Sequence, residues 1–398
     1  MKEFWQENKY ELITTFFIFT NLFPLWFPQW MYYVAFVMIA YKFNKFERIP
    51  HPKAWLFLGF IAFLWFTTLV GNALDFRLVL FSLVLYMFKP TGSWDLHKYK
   101  GKLLKVIFWG FGLVTLANFY AKLAGINMKQ GATWMEHHRG FSEFSGFASH
   151  SMWTSCAAAL STIFFVSLAF RQSEMRKWQR YACFGMILIS LYVTMISASR
   201  AAFFLSLACS VLIIWMQTEN LTRLMKNTLI VGFVAMLFAP VLIDNSAAMM
   251  NKKNSLKLTT ENTSRDALWA ERIAEFNSSP IIGIGYAAHG VGEAKAVGRN
   301  ESGGGFISVL AQTGIIGTIF IALIWIAATM MPRNVGNNPD IILIYGSFVF
   351  FSIHSIIEGY MFQAGWYLCL IIWLIIGFMI EYKTLDEDEI EDVDEIIE

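Results

Sequence analysis

Arginines are the first feature of this sequence that could do chemistry. In T-S-R-D-A-L-W-A-E-R-I-A-E-F, residues 263–276, Arg265, Trp269 and Arg272 fall at i, i+4 and i+7, which is one face of a helix. Ser264 suits the cap of that helix, and Asp266 its first turn, where the dipole favours an anion. Guanidinium groups presented this way can grip phosphate oxygens in pairs. An amphipathic helix lying on a membrane surface accounts for the same pattern without catalysis. Pro280 stops the helix, and Gly283 and Gly285 allow a close backbone approach, by themselves a weak sign of a phosphate site. Glu301 and Ser302 then precede three glycines and a segment reading L-A-Q-T-G-I-I-G. They suit either a helix cap or a base and positioning group for an acceptor hydroxyl.

Other ionisable groups stand at the ends of apolar runs. Arg200 follows Ser197-Ala198-Ser199 between two of them; it can snorkel, or it can serve a site, since charge at membrane depth is costly. Arg139 sits in H-H-R-G-F, where His137 and His138 have no convincing metal partners, so neither a metal nor another cofactor is expected. His354 and Glu358, four residues apart, form a proton-handling pair or a satisfied polar contact. Cys156, Cys183, Cys209 and Cys369 all lie in apolar blocks and read as small core residues.

The elements that must position these groups are membrane helices. Hydrophobic residues make up 56% of the 398 positions and charged ones 15%, against about 25% charged in a soluble domain. Apolar blocks near the roughly 20 residues that cross a bilayer fall at 10–27, 28–42, 54–71, 74–90, 103–124, 150–170, 181–198, 200–217, 227–243, 305–330, 341–357 and 361–380. The expected fold is therefore all-α: a polytopic transmembrane bundle of about twelve helices with a large helical extracytoplasmic loop. Residues 1–384 form one transmembrane domain with outer loops at 125–149 and 244–304. The acidic stretch 385–398 reads as a solvated cytoplasmic end, with a regulatory contact as the alternative. Lys and Arg concentrate in alternate links and are missing from the hairpins at 24–29, 71–75 and 358–361, so both termini are expected inside. The arginines considered above then lie outside. The net charge of +2 says little about partners, and no nucleic acid is expected.

Several arginines and a carboxylate converging on the outer mouth of a membrane bundle suit a lipid-linked pyrophosphate. Guanidinium groups would hold its oxygens and stabilise the charge that grows on the leaving group. At this point the chain resembles the O-antigen ligase and O-antigen polymerase superfamily. The resemblance rests on Ser199-Arg200, on Arg265, Trp269, Pro280, Gly283 and Gly285, on Glu301-Ser302 with Leu310, Gln312, Gly314 and Gly317, and on the Arg-Gly-Phe stretch from Arg139. It spans roughly residues 137–365.

The resemblance implies a periplasmic glycosyltransferase in a bacterial inner membrane. It would move a glycan from undecaprenyl pyrophosphate to a glycan, lipid A core or protein acceptor, with Arg200 and Arg265 on the donor and Glu301 as base. Arg139, Arg272, Trp269, Ser302, His354 and Glu358 complete the expected substrate contacts. Ligases of this family usually carry histidine where Glu301 stands, which leaves the polymerase reading open and His289 and His354 as substitute bases. A lipid flippase or other transporter is the competing reading, disfavoured because the ionisable residues cluster at the outer edge instead of the midplane.

Overall fold

The computed structural model describes residues 7–46, 49–128, 144–171, 175–218, 264–298, 303–330 and 338–382. Twelve α-helices run through them: α1 (Lys9–Phe19), α2 (Trp30–Lys45), α3 (Ala54–Val70), α4 (Phe76–Phe88), α5 (Trp94–Leu123), α6 (Ser151–Phe170), α7 (Lys177–Ile196), α8 (Arg200–Met216), α9 (Ser264–Ser278), α10 (Gly305–Thr329), α11 (Pro339–Ile357) and α12 (Tyr367–Tyr382). The chain is an all-α polytopic membrane protein. Five of the described helices, α5, α6, α7, α10 and α11, are long and apolar enough to cross a bilayer. Eleven of the twelve expected spans have a helical counterpart. The remaining one, 227–243, lies outside the described residues, as do Arg139, Glu301, Ser302 and the acidic tail.

The bundle is organised around α6 and α12. Every residue of α12 is buried, and α6 is buried along almost its whole length. The α6 sequence S-M-W-T-S-C-A-A-A-L-S-T explains its place: small side chains let neighbouring backbones approach, and hydroxyls supply bonds between helices. Ser161 and Ser190 share a 2.8 Å hydrogen bond between α6 and α7, and the Gln217 amide donates to Ser167 Oγ at 3.0 Å. The indole of Trp65 likewise donates to Ser82 and that of Trp325 to Ser352, each at 3.0 Å.

Local signals set the helix starts at the loop-bearing end. Asp75 caps α4 by accepting from the Arg77 N–H at 2.7 Å, and His150 Nδ1 caps α6 by accepting from Met152 N–H at 3.2 Å. Ser199 Oγ caps α8. At the opposite end α5 begins at Trp94, nine residues before the apolar run suggests. The polar stretch continues the helix because its inward groups find partners. The Lys100 ammonium lies 2.5 Å from the Glu381 carboxylate, and Thr91 donates to the same oxygen from both N and Oγ1.

The helix α10 is broken. Gly314 has φ 61° and ψ −162° inside it, a conformation that only glycine adopts without strain. Non-helical backbone at membrane depth is tolerated where protein pairs its polar groups, and here the segment after α9 does so. Ile315 and Ile316 N–H donate to the carbonyls of Pro280 and Ile281, while Ile284 and Gly285 N–H donate to those of Ala311 and Gln312. The loop and the broken helix form one hydrogen-bonded unit.

Candidate functional site

The loop after α9 is folded down into the bundle. Tyr286 is its anchor: the ring is buried and stacks on Phe81 with centroids 5.2 Å apart, and its hydroxyl donates to the Phe362 carbonyl at 3.1 Å. Its backbone N–H donates to Thr68 Oγ1 at 3.1 Å. The next residue, Ala287, sits at a positive φ of 60°, where its N–H is held by Gln312 Oε1 at 3.0 Å. A two-stranded hairpin follows, β1 (Ala288–His289) paired antiparallel with β2 (Ala296–Val297). Lys295 reaches from it to the Gly71 carbonyl at 2.5 Å, so this cation completes the C-terminus of α3.

Between that hairpin and the loop-bearing ends of α1, α2, α4, α6 and α12 lies a cavity of about 470 Å³, within the usual range for a ligand site. Its polar lining includes Arg77, His150, Arg272, His289, Gln312 and Gln363. Arg272 is almost completely buried, and its guanidinium is fixed by Glu275 at 2.6 Å, one turn along α9. The second oxygen of Glu275 accepts from Gly290 N–H at 2.7 Å. Burial raises the Glu275 carboxyl above its ordinary range, against the opposing pull of the Gly290 N–H and the arginine. The Arg272 Nε–H and His289 Nδ1 are buried, and neither has a hydrogen-bond partner among the described residues. His150 spends Nδ1 on its own helix cap, so the neutral ring carries its proton on Nε2.

The arrangement is a small chamber in a membrane protein with two guanidinium groups, histidines and amides on its wall. It can bind a compact anion and offer a nitrogen to a proton nearby. The stretch of chain that supplies Arg272, His289 and Gln312 is also the one that known proteins share. Residues 185–322 match the family model described as O-antigen ligase. That stretch is similar to the O-antigen ligase family. It runs from within α7 through most of α10, including the break at Gly314 and the docked loop. No curated protein matches the chain.

The match likens this stretch to the O-antigen ligase family, and it gives the residues expected from sequence a common frame. Arg272 and His289 line the cavity. Arg265 stands in the first turn of α9, with its side chain outside the described structure. Trp269 takes a tethering position: its indole N–H donates to the Gly303 carbonyl at 2.8 Å, holding the glycine run that leads into α10. Arg200 is exposed at the start of α8 and does not line the cavity. His354 is buried instead at the loop-bearing end of α11, its Nδ1 3.1 Å from the Tyr360 hydroxyl. Glu358 does not share its helical face, because α11 ends at Ile357 and Glu358 is extended, with φ −118° and ψ 140°.

The glycines of this matched segment let two stretches of backbone meet. A Cβ on Gly283 would overlap the Gln312 carbonyl group, and one on Gly314 the Ile281 carbonyl. They let the loop backbone lie directly on the broken helix. Arg77 and His150 escape sequence reading because they come from α4 and α6, far in sequence from the loop that supplies Arg272 and His289. The signal for Arg77 was available: an arginine two residues past Asp75, on the side that positive charge avoids.

Proposed function

We propose that the chain is a glycosyltransferase that moves a glycan from an undecaprenyl-pyrophosphate carrier to an acceptor hydroxyl at its loop-bearing face, expected to be periplasmic. The observation that supports this reading is the pair Arg272 and Arg77 on the wall of one chamber, within and beside the matched segment. A pyrophosphate needs several donors because its leaving gathers negative charge, and fixed guanidinium groups stabilise that charge without reorganising. The buried Nε–H of Arg272, unpaired among the described residues, is such a donor. The family resemblance assigns Arg200 and Arg265 to the donor as well, Arg200 from outside the cavity at the start of α8.

In this reaction the acceptor oxygen attacks the anomeric carbon, and the bond from that carbon to the pyrophosphate oxygen breaks. The electron pair leaves with the lipid pyrophosphate, and the hydroxyl proton passes to a base. Glu301 is the expected base, with His289 as the alternative already present on the chamber wall.

The test is purified protein incubated with lipid-linked repeat units, alone and then with lipid A core or protein acceptors. Growth of the carrier-linked chain identifies a polymerase, and transfer to an added acceptor a ligase. Unchanged donor in every arm overturns the assignment.

A further inference from the structure

A second concavity lies at the other end of the bundle, where no part of the proposed reaction takes place. It is a groove of about 520 Å³ between the final turns of α2 and α4. Phe36, Ala40, Phe43, Leu83 and Met87 make its apolar trough, and Asn44, Lys89 and Thr91 close one end. Val37 and Tyr41 are largely exposed on its flank, so the trough opens sideways toward the surroundings of the bundle. In a chain that crosses a bilayer, those surroundings at this depth are lipid.

Charge identifies which lipid. Among the described residues, no acidic residue lines the groove. Lys100 lies just behind its end, but that ammonium is committed to Glu381 at 2.5 Å with both side chains fully buried. Lys89 lines the rim, its ammonium over the Tyr86 ring at 3.9 Å, with Lys45 in the last turn of α2 nearby in the chain. The groove is a cationic, amide-bearing end joined to an apolar trough, complementary to an anionic headgroup joined to an acyl chain.

Length argues for a lipid of one leaflet. From Phe36 to Asn44 α2 advances roughly 12 Å at 1.5 Å per residue, close to half of the roughly 30 Å hydrocarbon core. A polyprenyl tail is much longer than this trough. We infer that the groove between α2 and α4 binds an anionic phospholipid, with its phosphate at Lys89 and Asn44 and one acyl chain along Ala40 and Leu83.

Native mass spectrometry of the full-length protein tests this, with phosphatidylglycerol, phosphatidylcholine and a polyprenyl phosphate titrated in turn. Phosphatidylglycerol is expected to stay bound and to weaken roughly fivefold in Lys89→Gln, the weight of one lysine against an anionic lipid surface. Ala40→Trp fills the trough and is expected to remove the adduct. Thermal unfolding checks that each variant is folded, and the Lys89→Gln arm decides the matter if Ala40→Trp is not. Equal retention of phosphatidylcholine, insensitive to Lys89→Gln, overturns the inference. So does a polyprenyl phosphate that displaces phosphatidylglycerol and is itself lost in Ala40→Trp.

Discussion

Arg272 and Glu275 face each other at 2.6 Å, one turn apart on α9, and both side chains are sealed from solvent. The same carboxylate holds Gly290 N–H, so one acidic residue fixes both the chamber's arginine and the hairpin beside it. Removing one member of a buried ion pair costs about 3–5 kcal/mol, whereas replacing both by apolar groups is often neutral. Glu275→Ala is therefore expected to lower the melting temperature far more than the double variant Arg272→Met/Glu275→Met. Both should lose transfer activity. A single variant as stable as the double one, by thermal unfolding, would contradict the pairing.

Arg77 offers a cleaner test of the chamber. Its backbone N–H serves the Asp75 cap, and that bond survives substitution of the side chain. Arg77→Ala is expected to leave protein levels in the membrane unchanged while slowing glycan transfer by about 10- to 100-fold, the loss of a charged hydrogen bond. Transfer at the wild-type rate would remove Arg77 from the site.

The broken helix makes a prediction about glycine. Gly283→Ala and Gly314→Ala place a side chain on a residue with positive φ and against backbone, so each should destabilise the protein and expose the loop to protease. Gly185 is the control, because a Cβ there meets nothing within 4 Å. Gly185→Ala should be neutral or stabilising by up to about 1 kcal/mol, since alanine favours the helix interior. Limited proteolysis alongside thermal unfolding separates the two classes.

His51 supplies a pH dependence at the other face. It is buried between α2 and α3, and its Nδ1 accepts from Lys53 N–H at 3.0 Å, which requires the neutral ring. Burial depresses its pKa below the ordinary histidine value, with the Glu381 charge opposing. The unfolded chain thus takes up its proton first. Stability from this group is complete above about pH 6.5 and is lost as the pH falls from there through the depressed value. His51→Asn keeps a side-chain acceptor and does not titrate. Its melting temperature should fall less than that of the wild type between pH 7 and 5, and parallel curves would refute the assignment.

Most of the fold was legible because bilayer helices advertise themselves by length and apolarity. Eleven of the expected spans have a helix near their place, from α1 to α12. The exceptions have physical causes. The start of α5 was missed because His97 and Lys100 read as polar loop residues, although a buried Glu381 receives them. The break in α10 was invisible to hydropathy, which sees composition and not φ at Gly314. For the site, helical spacing singled out Arg272 and the family resemblance brought in His289 as a substitute base; both residues line the chamber. It placed His354 and Glu358 on one helical face by spacing alone, and α11 stops between them. Arg77 and His150 stayed hidden because they reach the chamber from α4 and α6, far from the loop in sequence.

The union of the Pro280–Gly285 segment with α10 bears on how relatives of this chain can be recombined. Four backbone hydrogen bonds cross from one to the other, and they pair main-chain atoms through glycines on both sides. A chimaera that imports only the loop, or only the helix, must rebuild that seam from two backbones shaped by different partners. Any exchange of this region with a chain that matches the same family model therefore calls for residues 280–317 to travel as one cassette.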